Sequence, residues 1–264
     1  MRLQGKVAFI TGGGSGIGAG ISRMFVKEGA KLILAARNME RLEKFADELR
    51  AEGGEVLCVQ MDQGDEAQVK AAIDKGAAHF DKLDVLINNA GPTDLVKGQA
   101  DGPVAEVASE AFDRIVKVSM YGPFWCAKYA VPHMIKAGKG SIVNVSSIAA
   151  VPGFPRSTAY GAAKAGLISI TRSIAFDYGA QNIRANAIIT GYIRHENSDQ
   201  QTDTPEKEAA YMSRHMTRLG TPDDMAYACV YLASDESDFV TATTLDVEGG
   251  TLKKSRPDAV LIKP

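Results

Sequence analysis

Short apolar runs alternate with longer amphipathic stretches along this chain, and that rhythm leaves few folds open. The runs are Val7 to Ile10, Leu32 to Ala36, Val56 to Val59, Val85 to Ile87, Ile142 to Val145, Ala185 to Ile189 and Thr244 to Val247. Several carry no polar residue on either face, as expected of strands covered by helices on both sides. Between them lie helical segments such as Met39 to Ala51, closed by Gly53-Gly54, and Glu66 to Phe80. Repeated strand-then-helix order implies parallel strands joined by right-handed crossovers. The predicted fold is α/β: a Rossmann-type, doubly wound parallel sheet of about seven strands with helices on both faces. No linker, repeat or composition shift divides the 264 residues, so a single domain over 1–264 is expected.

The first strand runs directly into Thr11-Gly12-Gly13-Gly14-Ser15-Gly16-Ile17-Gly18, which opens a helix reaching Glu28. Glycines let the backbone turn tightly and approach a pyrophosphate, whose charge then meets amides at a helix N-terminus. No Lys-Ser or Lys-Thr follows, which argues against a mononucleotide P-loop. A dinucleotide is the expected ligand. An NAD site places a carboxylate at the end of the second strand, on the ribose 2′-hydroxyl. Here that stretch reads Ala35-Ala36-Arg37-Asn38, with no carboxylate. Ala36 leaves room and Arg37 can bind a 2′-phosphate, so NADP(H) is expected over NAD(H).

Composition closes off other readings. Hydrophobic residues make up 45% and charged residues 23%, with a net charge of -2, which gives no reason to expect nucleic acid or an anionic membrane. No apolar run approaches the ~18 residues of a membrane span. Cys58, Cys126 and Cys229 lack metal-ligand spacing, and Cys58 and Cys126 lie among apolar residues as buried thiols of a reducing compartment. A cytoplasmic location is expected, with no metal centre.

Chemistry enters with Tyr160 and Lys164, one helical turn apart in Ala159-Tyr160-Gly161-Ala162-Ala163-Lys164, and with Ser147 a short loop upstream. A free tyrosine ionises near pH ~10, too high for acid–base work at neutrality. Residues at i and i+4 share a helix face, so the Lys164 ammonium can approach the phenol and favour its anion. A downward shift of roughly 3 units requires about 4 kcal/mol. Ser147 would hold the substrate oxygen. Such a trio can move a proton to or from an alcohol or carbonyl oxygen.

One stretch breaks the rhythm. Thr190 to Met216 is polar, with His195, Glu196, Asn197 and Ser198 near its start, and falls where open α/β sheets place ligands. It is expected to be a substrate lid near 191–216. A helix follows, with Thr221 as N-cap, Pro222 in first position, and Asp223 and Asp224 in the first turn. Residues 253–264 are expected to form a short tail.

With these motifs the chain resembles the short-chain dehydrogenase/reductase family over nearly its whole length. The resemblance rests on Thr11 to Gly18, on Asn88-Asn89-Ala90-Gly91 at the fourth strand, on Ser147 and Tyr160-x-x-x-Lys164, and on Asp246 to Gly250. It implies that Tyr160 exchanges a proton with the substrate oxygen while the nicotinamide exchanges hydride with carbon. It implies that Lys164 lowers the Tyr160 pKa and holds the nicotinamide ribose. It further implies cofactor contacts from Gly12, Gly14, Ser15, Gly16, Ile17, Gly18, Asp62 and Gln63. Asn89, Ala90, Gly91, Gly191 and Ile193 complete that set, with Asp62 toward the adenine. Substrate would meet Thr93, Asp94, Ala149, Phe154 and Tyr192. Assembly is expected to be a homotetramer, through helices near Phe112 to Ile135 and Thr158 to Tyr178, whose Ile168, Ile170 and Ile174 would otherwise be core.

Three positions depart from the family pattern. Ser119 replaces the helix asparagine of a catalytic tetrad, whose main-chain carbonyl holds a relay water. Thr190-Gly191 replaces Pro-Gly, and His195 stands where a threonine often contacts the carboxamide; a solvent-exposed loop histidine is expected there. The expected activity is NADP(H)-dependent interconversion of a secondary alcohol and a ketone. The alternatives are a 3-ketoacyl-carrier-protein reductase, a hydroxysteroid or ring-alcohol dehydrogenase, and a nucleotide-sensing scaffold with weak activity.

Overall fold

Each apolar run forms a strand of one seven-stranded sheet in the computed structural model, which describes residues 1–92, 95, 100–196, 198 and 202–253. The strands are β1 Val7–Thr11, β2 Lys31–Ala36, β3 Val56–Gln60, β4 Val85–Asn88, β5 Gly140–Ser147, β6 Ile183–Thr190 and β7 Thr244–Val247. All neighbouring pairs are parallel, in the order β3-β2-β1-β4-β5-β6-β7. The chain winds outward from β1 to β3, then returns to place β4 on the other side of β1. Ligands of doubly wound sheets bind at that reversal, beyond the carboxyl ends of the strands.

Period-two alternation divides each strand between two cores. Ala8 and Ile10 of β1 face one side, where α1 (Gly16–Lys27) and α2 (Met39–Ala51) supply Ile21, Phe25, Leu42 and Leu49. That side is completed by α8 (Pro222–Ala233) through Met225, Cys229 and Leu232. Val7 and Phe9 face the other side, against Val69 and Ile73 of α3 (Glu66–Phe80). Fully burying one such side chain contributes about 1.5–3 kcal/mol. Helix α1 comes so close to α8 that a Cβ on Gly20 would lie 2.4 Å from that of Pro222.

The predicted helix Phe112 to Ile135 is interrupted. Helix α4 (Ser109–Val116) passes through a π-helical turn at Lys117–Tyr121 into α5 (Gly122–Ala137). Pro123 lacks an N–H, so the carbonyl of Ser119, four residues earlier, has no α-helical donor. Helix α6 (Thr158–Tyr178) matches its expected span. Its Ile168 and Ile174 are core residues and Ile170 packs against the core, while Phe176 is exposed.

The polar stretch after β6 contains a helix that the expectation of a lid did not include, α7 (Pro205–Met212), capped by Thr204. The same Thr-Pro signal that marks α8 marks this one. Both flanks of the stretch are tied to the body: Arg194 N–H donates to Gly220 O at 2.8 Å, and Met216 N–H to Gly249 O at 2.7 Å. Residues 197 and 199–201 of the expected lid lie outside the described residues, as do 254–264 of the expected tail. Among the described residues no helix is long and apolar enough to cross a membrane. All three cysteines are buried and unbridged, and burial pushes the Cys58 and Cys229 thiols up to about 12.

Candidate active site

At the β1–β4 reversal, two loops are locked together. Thr11 Oγ1 accepts from the Asn89 and Ala90 amides at 3.0 Å each, and Asn89 Nδ2 donates to Thr11 O at 3.0 Å. Gly12 adopts φ +65°, and a Cβ there would come within 3.1 Å of Ala90 Cα. A Cβ on Gly18 would lie 2.1 Å from Gly12 O. Side chains are thus excluded from the turn, and the N-terminus of α1 opens onto a cleft. Gly12, Gly14, Ser15, Gly16, Ile17, Arg37, Asp62 and Gln63 all line that cleft, with Asn89, Ala90, Gly91, Tyr160 and Lys164. These residues fit a dinucleotide: a side-chain-free cradle, amides at a helix N-terminus, and basic groups at one end. Three expected cofactor contacts, Gly18, Gly191 and Ile193, do not line it. Gly18 braces the turn, Gly191 packs on Glu248, and Ile193 bridges to Gly220.

Beyond β2, Arg37, Asn38 and Arg41 share the cleft wall. Asn38 caps α2 by accepting from Arg41 N–H at 2.9 Å. Asp62 is paired with Arg114 at 2.7 Å and accepts from Gly64 N–H at 2.8 Å. Burial opposes its charge, but these bonds and the Arg114 and Arg37 charges hold its carboxyl below the usual range. Gln63 is buried, with Nε2 donating to Val118 O at 2.8 Å and Ala90 O at 3.3 Å. Arg41 and Arg114 carried no sequence signal of their own.

Ser147 ends β5, and Tyr160 and Lys164 extend toward it from α6. Lys164 is buried, its Nζ donating to Val145 O at 2.7 Å and lying 5.6 Å from the Tyr160 ring centre. Desolvation pulls its pKa down to about 8. Tyr160 departs from the expected lowering. Burial raises its pKa, and a hydrogen bond with Ser147 acts in the opposite direction without winning. Ser147 Oγ also accepts from Ala149 N–H at 3.2 Å. Ser119 is fully buried in the π-helical turn, and its hydroxyl has no hydrogen-bond partner among the described residues.

An unforeseen carboxylate positions this helix. Ser157 at the N-cap of α6 makes no side-chain cap bond. Asp101, buried, accepts instead from Ala159 N–H at 3.1 Å and Tyr160 N–H at 2.9 Å. Asp101→Ala is expected to lower stability by about 1–2 kcal/mol, read in urea unfolding. Asp101→Asn, which keeps an acceptor oxygen, should recover part of it.

The expected substrate residues are less concentrated. Thr93 and Asp94 lie outside the described residues. Ala149 and the half-buried Phe154 follow Ser147 but do not line the cleft. The Tyr192 hydroxyl is used within its own segment, 3.1 Å from both Ser198 O and Thr202 Oγ1, with its ring against Tyr211. His195 is not the exposed loop histidine expected. It lines the cleft with its ring against Gly16.

A doubly wound sheet with this cleft defines a nucleotide-dependent oxidoreductase, and comparison with known proteins agrees. The family model described as "Enoyl-(Acyl carrier protein) reductase" matches residues 12–251. The chain is 36% identical over 252 residues to the 3-oxoacyl-(acyl-carrier-protein) reductase FabG of Thermotoga maritima, covering 95% of this chain and 99% of that one. It is 38% identical over 253 residues to cis-4-hydroxycyclohexanecarboxylate dehydrogenase of Sinomonas cyclohexanicum, covering 93% and 96%. Among solved structures, a gluconate 5-dehydrogenase of Burkholderia cenocepacia J2315 in complex with NADP and tartrate superposes with a TM-score of 0.89. Its identity is 31%, with 96% and 98% of the chains covered. The chain belongs to the short-chain dehydrogenase/reductase family, NAD(P)-dependent oxidoreductases acting on CH–OH groups.

Proposed function

We propose that this chain is an NADP(H)-dependent oxidoreductase that interconverts a secondary alcohol and a ketone, with Tyr160 as its acid–base group. The observation that carries the reading is that Tyr160 and Lys164 line the same cleft as the glycine cradle, at the end of the strand that carries Ser147. A bound nicotinamide supplies or accepts the hydride at the substrate carbon. Tyr160 gives the carbonyl oxygen its proton in reduction and removes it in oxidation. Ser147, at the end of β5, would hold that oxygen through its hydroxyl. Lys164, next to the phenol, favours its anion when the ammonium turns from Val145. The Ser119 main-chain carbonyl, left without an α-helical donor by Pro123, keeps the acceptor that a relay water requires.

For the cofactor, Gly12 to Gly16 would face the pyrophosphate, Asp62 and Gln63 the adenine, and Asn89 to Gly91 the ribose. Arg37, with no carboxylate at the end of β2, favours a 2′-phosphate. Arg37→Ala is expected to weaken NADPH binding about tenfold and leave NADH binding unchanged. Equal losses for both nucleotides in calorimetric titration would remove the NADP(H) preference.

Acyl-carrier substrates are the second reading, favoured by the 36% identity to the Thermotoga maritima reductase. An acidic carrier needs a basic surface, yet Lys139 is committed to Asp235 and Asp238 at 2.9 Å. A compact ring or polyol alcohol is the better supported substrate class. NADPH oxidation over a panel of cyclic ketones, keto acids and acyl thioesters separates the two. Assembly as a homotetramer is supported by exposed Phe124 on α5 and Phe176 on α6. Light scattering should return four times the chain mass.

A further inference from the structure

Helix α1 begins without a cap of its own. Ser15 occupies the N-cap position with an extended backbone, and its side chain makes no capping bond. The N-cap side chains of α2, α3 and α7, by contrast, each accept from an amide of their own first turn. The carboxylate at α1 comes from 180 residues away: Glu196 Oε1 accepts from Gly16 N–H at 2.8 Å. Arg41 Nη2 lies 3.2 Å from the same oxygen. The turn that carries Glu196 is held in place. Buried Ser198 Oγ accepts from His195 N–H at 2.8 Å and donates toward the Ile193 and His195 carbonyls at 3.1 and 2.9 Å. An anion at the amides of a helix N-terminus, backed by an arginine, is the chemistry that a phosphate would meet in the same place.

We propose that Glu196 is an intramolecular competitor for the phosphate seat at Gly16, and so determines how tightly the chain holds its dinucleotide. The inference rests on the cofactor assignment made above. The Gly16 amide cannot serve a pyrophosphate and the carboxylate together, and two anions on one donor repel. Dinucleotide binding therefore expels the Glu196 carboxylate and releases Arg41 to the pyrophosphate. One charge-assisted bond replaces another, so part of the cofactor's interaction is spent on displacement. Both side chains of the Arg41–Glu196 pair are about half exposed, which keeps the effect moderate.

Calorimetric titration of the wild type, Glu196→Gln and Glu196→Ala, without substrate, tests this directly. The probes are NADPH, ADP-ribose, which keeps the pyrophosphate but lacks the nicotinamide, and 2′-AMP, which lacks the pyrophosphate. Both variants are expected to bind NADPH and ADP-ribose roughly three- to tenfold more tightly than the wild type. Binding of 2′-AMP should not change. Equal or weaker binding of NADPH and ADP-ribose by the isosteric Gln variant overturns the competitor role and leaves the cofactor assignment standing. Equal tightening of all three probes also overturns it, because the effect would then not belong to the pyrophosphate seat. No NADPH binding by any of the three proteins overturns both.

Discussion

Tyr160→Phe is expected to lower turnover by a factor of at least about a thousand while leaving NADPH affinity within about twofold of the wild type. The substitution removes one oxygen, and with it the proton that the substrate oxygen must gain or lose. Little else should change. The ring of Tyr160 remains beside Lys164, and the Asp101 bond to the Tyr160 main-chain amide does not involve the hydroxyl. Single-turnover measurement with NADPH and a ketone, beside calorimetric titration of the nucleotide, reads both halves. Retained turnover would end the assignment of Tyr160, and lost NADPH binding would show that the variant had damaged the cleft instead.

Lys164→Met is expected to abolish most turnover and yet make the protein more stable at pH 7. The folded-state pKa of Lys164 is depressed to about 8, from an ordinary value of 10.5, by desolvation. Below about pH 8 the lysine is charged in both states, so the native state bears the full cost of burying the ammonium. Between about 8 and 10.5 the native lysine is neutral while the unfolded one still binds a proton, so stability rises with pH across that window. Above it the penalty is absent. The full cost at neutrality is on the order of 3 kcal/mol. Methionine fills a similar volume but leaves the Val145 carbonyl without its Nζ donor, which returns about 1 kcal/mol. The net gain of about 2 kcal/mol corresponds to roughly 5 °C in melting temperature for a chain of this size. Melts at pH 7 and pH 10 should show the advantage shrinking at the higher pH. An unchanged or lowered melting temperature at pH 7 would mean that the bond to Val145 outweighs the desolvation. A lysine kept at such a cost in a buried site is the pattern expected where function and stability compete.

Strand positions were legible because burial on both faces leaves an unbroken apolar signature, and the seven runs became the seven strands. The glycine loop was legible because side chains are sterically excluded there. The interrupted helix at Ser119 was less so, although Gly122-Pro123 held the clue that a donor is missing. Helix α7 was overlooked despite its Thr-Pro start, because its polar surroundings suggested a loop. The roles of Arg114, Asp101 and Glu196 were not legible. Each acts on a partner 52 to 180 residues away, and periodicity records which face of an element is buried, not which distant charge it meets.

The same division holds for the chemistry. The spacing of Tyr160 and Lys164, the serine before them and the glycines at the first turn are local properties, and the sequence alone determined the family and the doubly wound fold and pointed to the groups proposed to react. The direction of the pKa shifts belongs to the tertiary structure. Burial decides those directions, and it raises the phenol where helical spacing alone had predicted a lower value. The placement of the Glu196 carboxylate on the first amide of α1 was likewise decided only when the chain folded, because desolvation and long-range charge pairing exist only in the packed molecule.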